Sequence, residues 1–157
     1  MKLLTKKMAI AVLAWFTLFT LPAQANDLMM ARSKLPFAQA ETQLKAQIEA
    51  HGYTVSSAKR IDIDLVATGM SKGAYRVIQF GKPAEIKKLA AKFPEMIPFL
   101  PLQVVIFAEW EETLFVTLSP TFYSKIAAQS DLIPMYTRWA QDLGSILNMM
   151  REKGAAY

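Results

Sequence analysis

Arg76-Val77-Ile78-Gln79-Phe80-Gly81-Lys82-Pro83 is the stretch on which the fold turns. Five residues of extended, largely apolar character stop at a glycine, and a proline follows where a helix would begin. Proline suits the first turn of a helix because its missing N–H has no partner to lose there. The stretch therefore reads as a strand-to-helix corner. Downstream, Ala84 to Phe93 predicts a short helix with Lys87, Lys88 and Lys92 on its outer side, and Pro94, Pro98 and Pro101 make a stiff, irregular connection. Leu102–Ala108 is nearly all apolar, as a strand central in its sheet or covered on both faces would be. Glu109-Trp110-Glu111-Glu112 is polar enough to turn the chain, Thr113–Leu118 returns as a strand, and Ser119-Pro120 closes it.

Working outward, Leu28-Met29-Met30-Ala31 reads as a first strand. Phe37, Ala40, Leu44 and Ile48 then recur at the spacing of one helical face, behind Pro36 and ahead of Gly52. Gly52 stands where a helix end favours a left-handed residue. Tyr53-Thr54-Val55 restarts as a strand, Ile61, Ile63 and Leu65 alternate with Arg60, Asp62 and Asp64, and residues 66–74 read as a loop. After Pro120, Thr121–Gln129 suggests a short helix. Beyond it Met135, Trp139, Leu143, Ile146, Leu147 and Met150 line one side of a long helix with Ser130 or Asp131 as cap and Gly154 as its end. The order β-α-β-β-α-β-β-α-α predicts an α+β fold: a two-layer sandwich with a mainly antiparallel sheet covered by helices.

The N-terminus stands apart. Lys2, Lys6 and Lys7 precede an uncharged run of 14 residues, Met8–Leu21, and Pro22-Ala23-Gln24-Ala25 places small residues before a cleavage point after Ala25. That layout is a secretory signal, and the run is short of the roughly 20 residues of a spanning helix. The expectation is a signal peptide at 1–25, a single domain at 26–157, a periplasmic location, and no membrane span after cleavage. The full chain carries net charge +5, but three of its 18 basic residues lie in the signal, leaving 15 against 13 acidic ones. A charge of +2 does not mark a nucleic-acid surface. With no cysteine anywhere, the domain stands on its core rather than on disulfides.

In Gln79-Phe80-Gly81-Lys82-Pro83, a helix, Leu100-Pro101-Leu102 before an apolar strand, a hairpin and Ser119-Pro120, the chain resembles the domain of unknown function 302 family. That family typically shows Phe-Gly-Asn-Pro, then Leu-Pro, then a strand pair ending in Asp-Pro. The helix ending in His51-Gly52-Tyr53 matches the family's lead-in. The likeness spans roughly Leu28 to Tyr123, and it is the order and spacing of short motifs that carry it. It implies a small α+β domain of bacterial type without an established activity. The chain departs from the pattern at Lys82, in place of Asn, at Glu85-Ile86, near the place of a Gly-Thr, and at Ile63, where Ile-Asp is usually followed by His.

Residues with chemical capacity are few. His51 precedes a helix-ending glycine, where a charged imidazole meets the helix dipole favourably without any further role. One His and no Cys exclude a zinc site of the ordinary kind, and no metal or cofactor is expected. Asp62 and Asp64, two apart on a strand, would share a face and could act as an acid–base pair with Lys82 or Tyr75, although the alternation with Ile61, Ile63 and Leu65 already accounts for them as solvent-facing. The seven methionines after residue 25 are read as core filling rather than a copper site. Lys82, beside a helix start and with Lys87 and Lys88 near in sequence, could receive an anion. Trp110 and Phe99 are candidates for exposure. The leading expectation is a non-catalytic domain binding a small or anionic ligand, or a protein partner, near Phe80, Gly81, Lys82, Pro83, Phe99 and Pro101. The alternatives are an enzyme using Asp62 or Asp64 with Lys82, and a homodimer formed through a sheet edge or the C-terminal helix.

Overall fold

The structure, a computed structural model, describes residues 27–60 and 75–155. Its elements are β1 (Leu28–Ser33), α1 (Phe37–Ala50), β2 (Thr54–Arg60), β3 (Tyr75–Gly81), α2 (Pro83–Lys92), β4 (Leu102–Glu109), β5 (Glu112–Leu118) and α3 (Ile133–Ala155). Short 3-10 helices occupy Pro94–Phe99, Pro120–Lys125 and Ser130–Leu132. The strands form one sheet in the order β1-β5-β4-β3-β2 with every neighbouring pair antiparallel. The architecture is the expected α+β two-layer arrangement, and the most apolar strand, β4, lies at its centre.

One face of the sheet carries the core. Ala31, Phe115 and Ile106 stand in one cross-strand row, Ile78 beside Val104 in the next, and Phe80 beside Leu102 in a third, all buried. Onto this face α1 lays Ala40, Leu44 and Ile48, and α3 lays Trp139, Leu143, Ile146 and Met150, each nearly or wholly inaccessible. The 3.6-residue periods of both helices are thus spent on the same sheet face. Gly52 has φ of +76° and ends α1 as a left-handed residue, its N–H donating to the Glu49 carbonyl. Thr113 and Thr117, buried on the same face, satisfy their hydroxyls on the carbonyls of Leu35 (2.9 Å) and Gln103 (2.7 Å).

Three local features differ from the sequence reading. The stretch after Ser119-Pro120 forms a six-residue 3-10 helix, not an α-helix over Thr121–Gln129. So short a segment gains too few hydrogen bonds to offset α-helix nucleation, and burying Tyr123 against Phe99 and Tyr136 sets its path instead. Ser130 and Asp131 lie in a 3-10 turn without a side-chain cap, and the Asp131 carboxylate takes Lys92 at 3.3 Å. Gly154 does not end α3 but lies in its last turn, where a Cβ would come within 2.6 Å of the Lys34 backbone nitrogen and 2.8 Å of Ser33 Cα. Its job is close approach to β1. β2 runs unbroken to Arg60 across a bulge between Val55 and Ser57. The signal stretch 1–25, the alternation through Leu65 and the loop at 66–74 lie outside the described residues.

The Gly154 contact carries a prediction. Alanine there meets backbone rather than a movable side chain, so Gly154→Ala should destabilise the protein by about 1–3 kcal/mol through overpacking. Urea unfolding of the two proteins measures it, with the midpoint lowered and the slope unchanged.

Candidate functional site

The corner between β3 and α2 is built by a missing side chain. A Cβ at Gly81 would run into Ile86 Cδ1, in the first turn of α2, and lie 3.8 Å from Pro101 Cβ. The glycine thus leaves room for the Ile86 side chain at the corner, and the Leu100-Pro101 segment, whose peptide bond is cis, lies alongside at van der Waals distance. Lys82 follows in extended conformation (φ −98°, ψ 110°) as the residue before α2, and its carbonyl accepts the N–H groups of Glu85 and Ile86, both at 2.9 Å.

The Lys82 ammonium lies 4.7 Å from the centroid of the Tyr53 ring, a cation–π contact. Tyr53 meets Phe80 edge-on at 5.6 Å, and its hydroxyl donates to the Asp142 carboxylate at 2.6 Å. Glu85, one turn into α2, forms an ion pair with Arg138 and accepts the Trp139 indole N–H at 3.3 Å. Lys82, Tyr53, Glu85, Arg138 and Asp142 therefore gather at one end of the sheet from β3, the β2 entry, α2 and α3. Among the described residues no carboxylate pairs with Lys82. Burial pushes the Tyr53 phenol well above its usual range, and the hydrogen bond to Asp142 pushes it further. Tyr53 is held as a neutral donor, the opposite of a phenol activated as base or nucleophile. The ammonium is the chemically available group: a half-buried cation on an aromatic platform, beside the positive end of a helix.

The other residues singled out in the sequence take these places. Phe80 is fully buried beneath Tyr53. Phe99 is half-buried at 5.3 Å from Tyr123, the start of an aromatic chain continuing through Tyr136 to Trp139. Pro83 begins α2, and Pro101 packs toward Gly81. Asp62 and Asp64 lie outside the described residues. Tyr75 is at the far end of β3, stacked on Phe107 at 6.1 Å, and six strand residues lie between it and Lys82, a span of about 23 Å. Those two do not meet in one pocket. His51 sets its Nδ1 2.8 Å from the Gln47 carbonyl, capping α1. Among the described residues no group of three His, Asp or Glu could hold a metal ion. Sequence reasoning singled out neither Arg138 nor Asp142, and Glu85 only as a departure from the family pattern. The signal was there in part, since Arg138 and Asp142 are four apart on α3 and flank the apolar stripe at Trp139 and Leu143.

A raised phenol pKa has a definite consequence. The folded protein holds the Tyr53 proton more tightly than the unfolded chain, so the stability gained is full below about pH 10 and lost as pH rises beyond it. Tyr123 and Tyr136 are raised by burial in the same direction. In Tyr53→Phe, stability near neutrality should fall by about 1 kcal/mol, through the unpaired Asp142, and the loss of stability above pH 10 should be shallower. Circular dichroism melts from pH 7 to 11 check both.

Compared with known proteins, the model of the family described as "Domain of unknown function DUF302" matches residues 29–150. A crystal structure of an uncharacterized conserved DUF302 protein from Bacillus stearothermophilus superposes with a TM-score of 0.69 at 16% identity, covering 81% of this chain and 100% of that one. At that identity the likeness is one of fold. No curated protein matches the sequence.

Proposed function

The chain belongs to the DUF302 family, and from that premise we propose that it is an exported, non-catalytic binding domain that takes a small anionic ligand at the Lys82 corner. The observation that carries the reading is the Lys82 ammonium, held over Tyr53 at the start of α2 with no carboxylate partner among the described residues. A cation so placed retains its capacity for a charge-assisted hydrogen bond to an anion. Phe80, Gly81, Pro83, Phe99 and Pro101 act through it: they fix the corner by packing, and Lys82 makes the contact. The export half rests on the basic start, apolar run and small-residue exit of residues 1–25. Among the described residues no helix is long and apolar enough to cross a membrane.

Thermal-shift titration with inorganic phosphate, acetate and citrate tests the site. At least one of these anions should raise the wild-type midpoint, Lys82→Ala should abolish that rise, and Lys82→Arg should retain most of it. A rise left intact in Lys82→Ala removes the corner as the site. For export, N-terminal sequencing of the protein from a periplasmic extract of a Gram-negative bacterial host should begin at Asn26, and a product beginning at Met1 refutes cleavage. The homodimer reading draws on a separate observation, the second face of the sheet.

A further inference from the structure

We propose that the sheet's outer face is a homodimer interface, in which two copies pack face to face with their strands crossed at near right angles. The inference is independent of the Lys82 corner, so the failure of either leaves the other standing.

Strand alternation places a second set of side chains opposite the helices. Its central row runs Lys59, Val77, Val105, Val116, Met30 across all five strands. The next row runs Tyr75, Phe107, Leu114, Arg32 and the last is Glu109 beside Glu112, while on the other side a row runs Ser57, Gln79, Gln103, Leu118, Leu28. The helices pack on the opposite face: Phe37 of α1 holds Arg76, and α3 sets Gly144 near Met29 and Gly154 against Ser33, while Arg151 of α3 reaches the Met30 carbonyl at the β1 edge. On the outer face Tyr75, Val77, Val105, Phe107 and Val116 are half-buried and Leu114 is buried, while Met30 is 46% and Leu28 53% accessible. Its middle is apolar, unlike a face meant for water, and Ser57, Gln79 and Gln103 form a polar row to one side.

Three arguments make the occupant a second copy. The first is area. The four rows hold 5, 5, 4 and 2 positions, sixteen in all; at about 4.8 by 6.7 Å each they cover roughly 510 Å² in plan, or about 1,000 Å² over two copies, the size a specific interface must reach. The second is shape. The face is one side of a continuous five-stranded sheet, and such faces pack on one another, aligned or orthogonal. The third is charge. Lys59 stands at the β2 side, while Glu109 and Glu112, joined by Arg32 at 2.5 and 3.2 Å, stand at the hairpin end. A two-fold axis along the diagonal between strand and row directions brings each Lys59 over the other copy's Glu109–Glu112 end, twice per dimer. The sheet's edges are poorer routes. The Arg151 guanidinium takes the Met30 carbonyl on β1, and β2 carries its bulge together with exposed Lys59 and Arg60.

Sedimentation equilibrium of the purified protein should give twice the chain mass at micromolar concentrations. Val105→Asp should give a monomer whose circular dichroism is native. Because that variant may fail to fold, Lys59→Glu provides the second reading. It should weaken dimerisation about tenfold, from a surface pair lost twice, and K59E/E112K should recover most of the loss. A wild-type protein that stays monomeric to millimolar concentration overturns the proposal, as does a dimer indifferent to both Val105→Asp and Lys59→Glu. A monomer that instead co-sediments with phosphatidylglycerol vesicles assigns the face to lipid and overturns it equally.

Discussion

The absent side chain at Gly81 is the constraint on which the corner depends. β3 must end, α2 must begin, and the cis Leu100-Pro101 segment must close over both within one side chain's width of each other. A Cβ at that point would meet the Ile86 side chain, so any residue other than glycine requires Ile86 to turn out of the place it fills here. Once it closes, Lys82 is projected over Tyr53, Glu85 is set against Arg138 and Trp139, and the Phe99–Tyr123–Tyr136–Trp139 chain can stack. The family's Phe-Gly-x-Pro and Leu-Pro motifs, 20 residues apart here, are two sides of one packing contact.

The sheet is apolar through its inner side and across the middle of its outer side, and the two sides have different fates. The inner side is filled by α1 and α3 to near-zero accessibility. The outer side carries Val77, Val105 and Val116 across its middle without a described helix over them. β-branched residues on a pleat favour the strand by intrinsic preference, so part of the outer pattern serves sheet formation itself. The remainder is apolar area that gains only when another surface meets it.

How much of this was legible in the sequence follows from the range of the interactions. Helices α1 and α3 could be read because their periodicity is local, and β4 could be placed centrally because continuous apolar character has few other meanings. The Phe-Gly-Lys-Pro corner was readable as a corner for the same reason. What surrounds it was not. The Tyr53–Asp142 bond joins residues 89 apart and the Glu85–Arg138 pair residues 53 apart, and no local pattern encodes such partners. Gly154 looked like a helix terminator because glycine near a helix end usually is one, whereas here it makes room for β1. The 3-10 helix after Pro120 was misread for a related reason: tertiary burial of Tyr123 overrode a helical composition.

β1, near the start of the domain, pairs with β5 and is held by the last turns of α3, where Gly144 reaches Met29 and Gly154 reaches Ser33. Head and tail of the domain are thus knitted together, separated by more than a hundred residues of chain. A polypeptide emerging N-terminus first cannot seal its core until its final helix is available, whatever its earlier segments have achieved. Such long-range closure slows folding. The order of synthesis and the order of closure therefore run opposite ways: the first strand of the fold is sealed by its last helix.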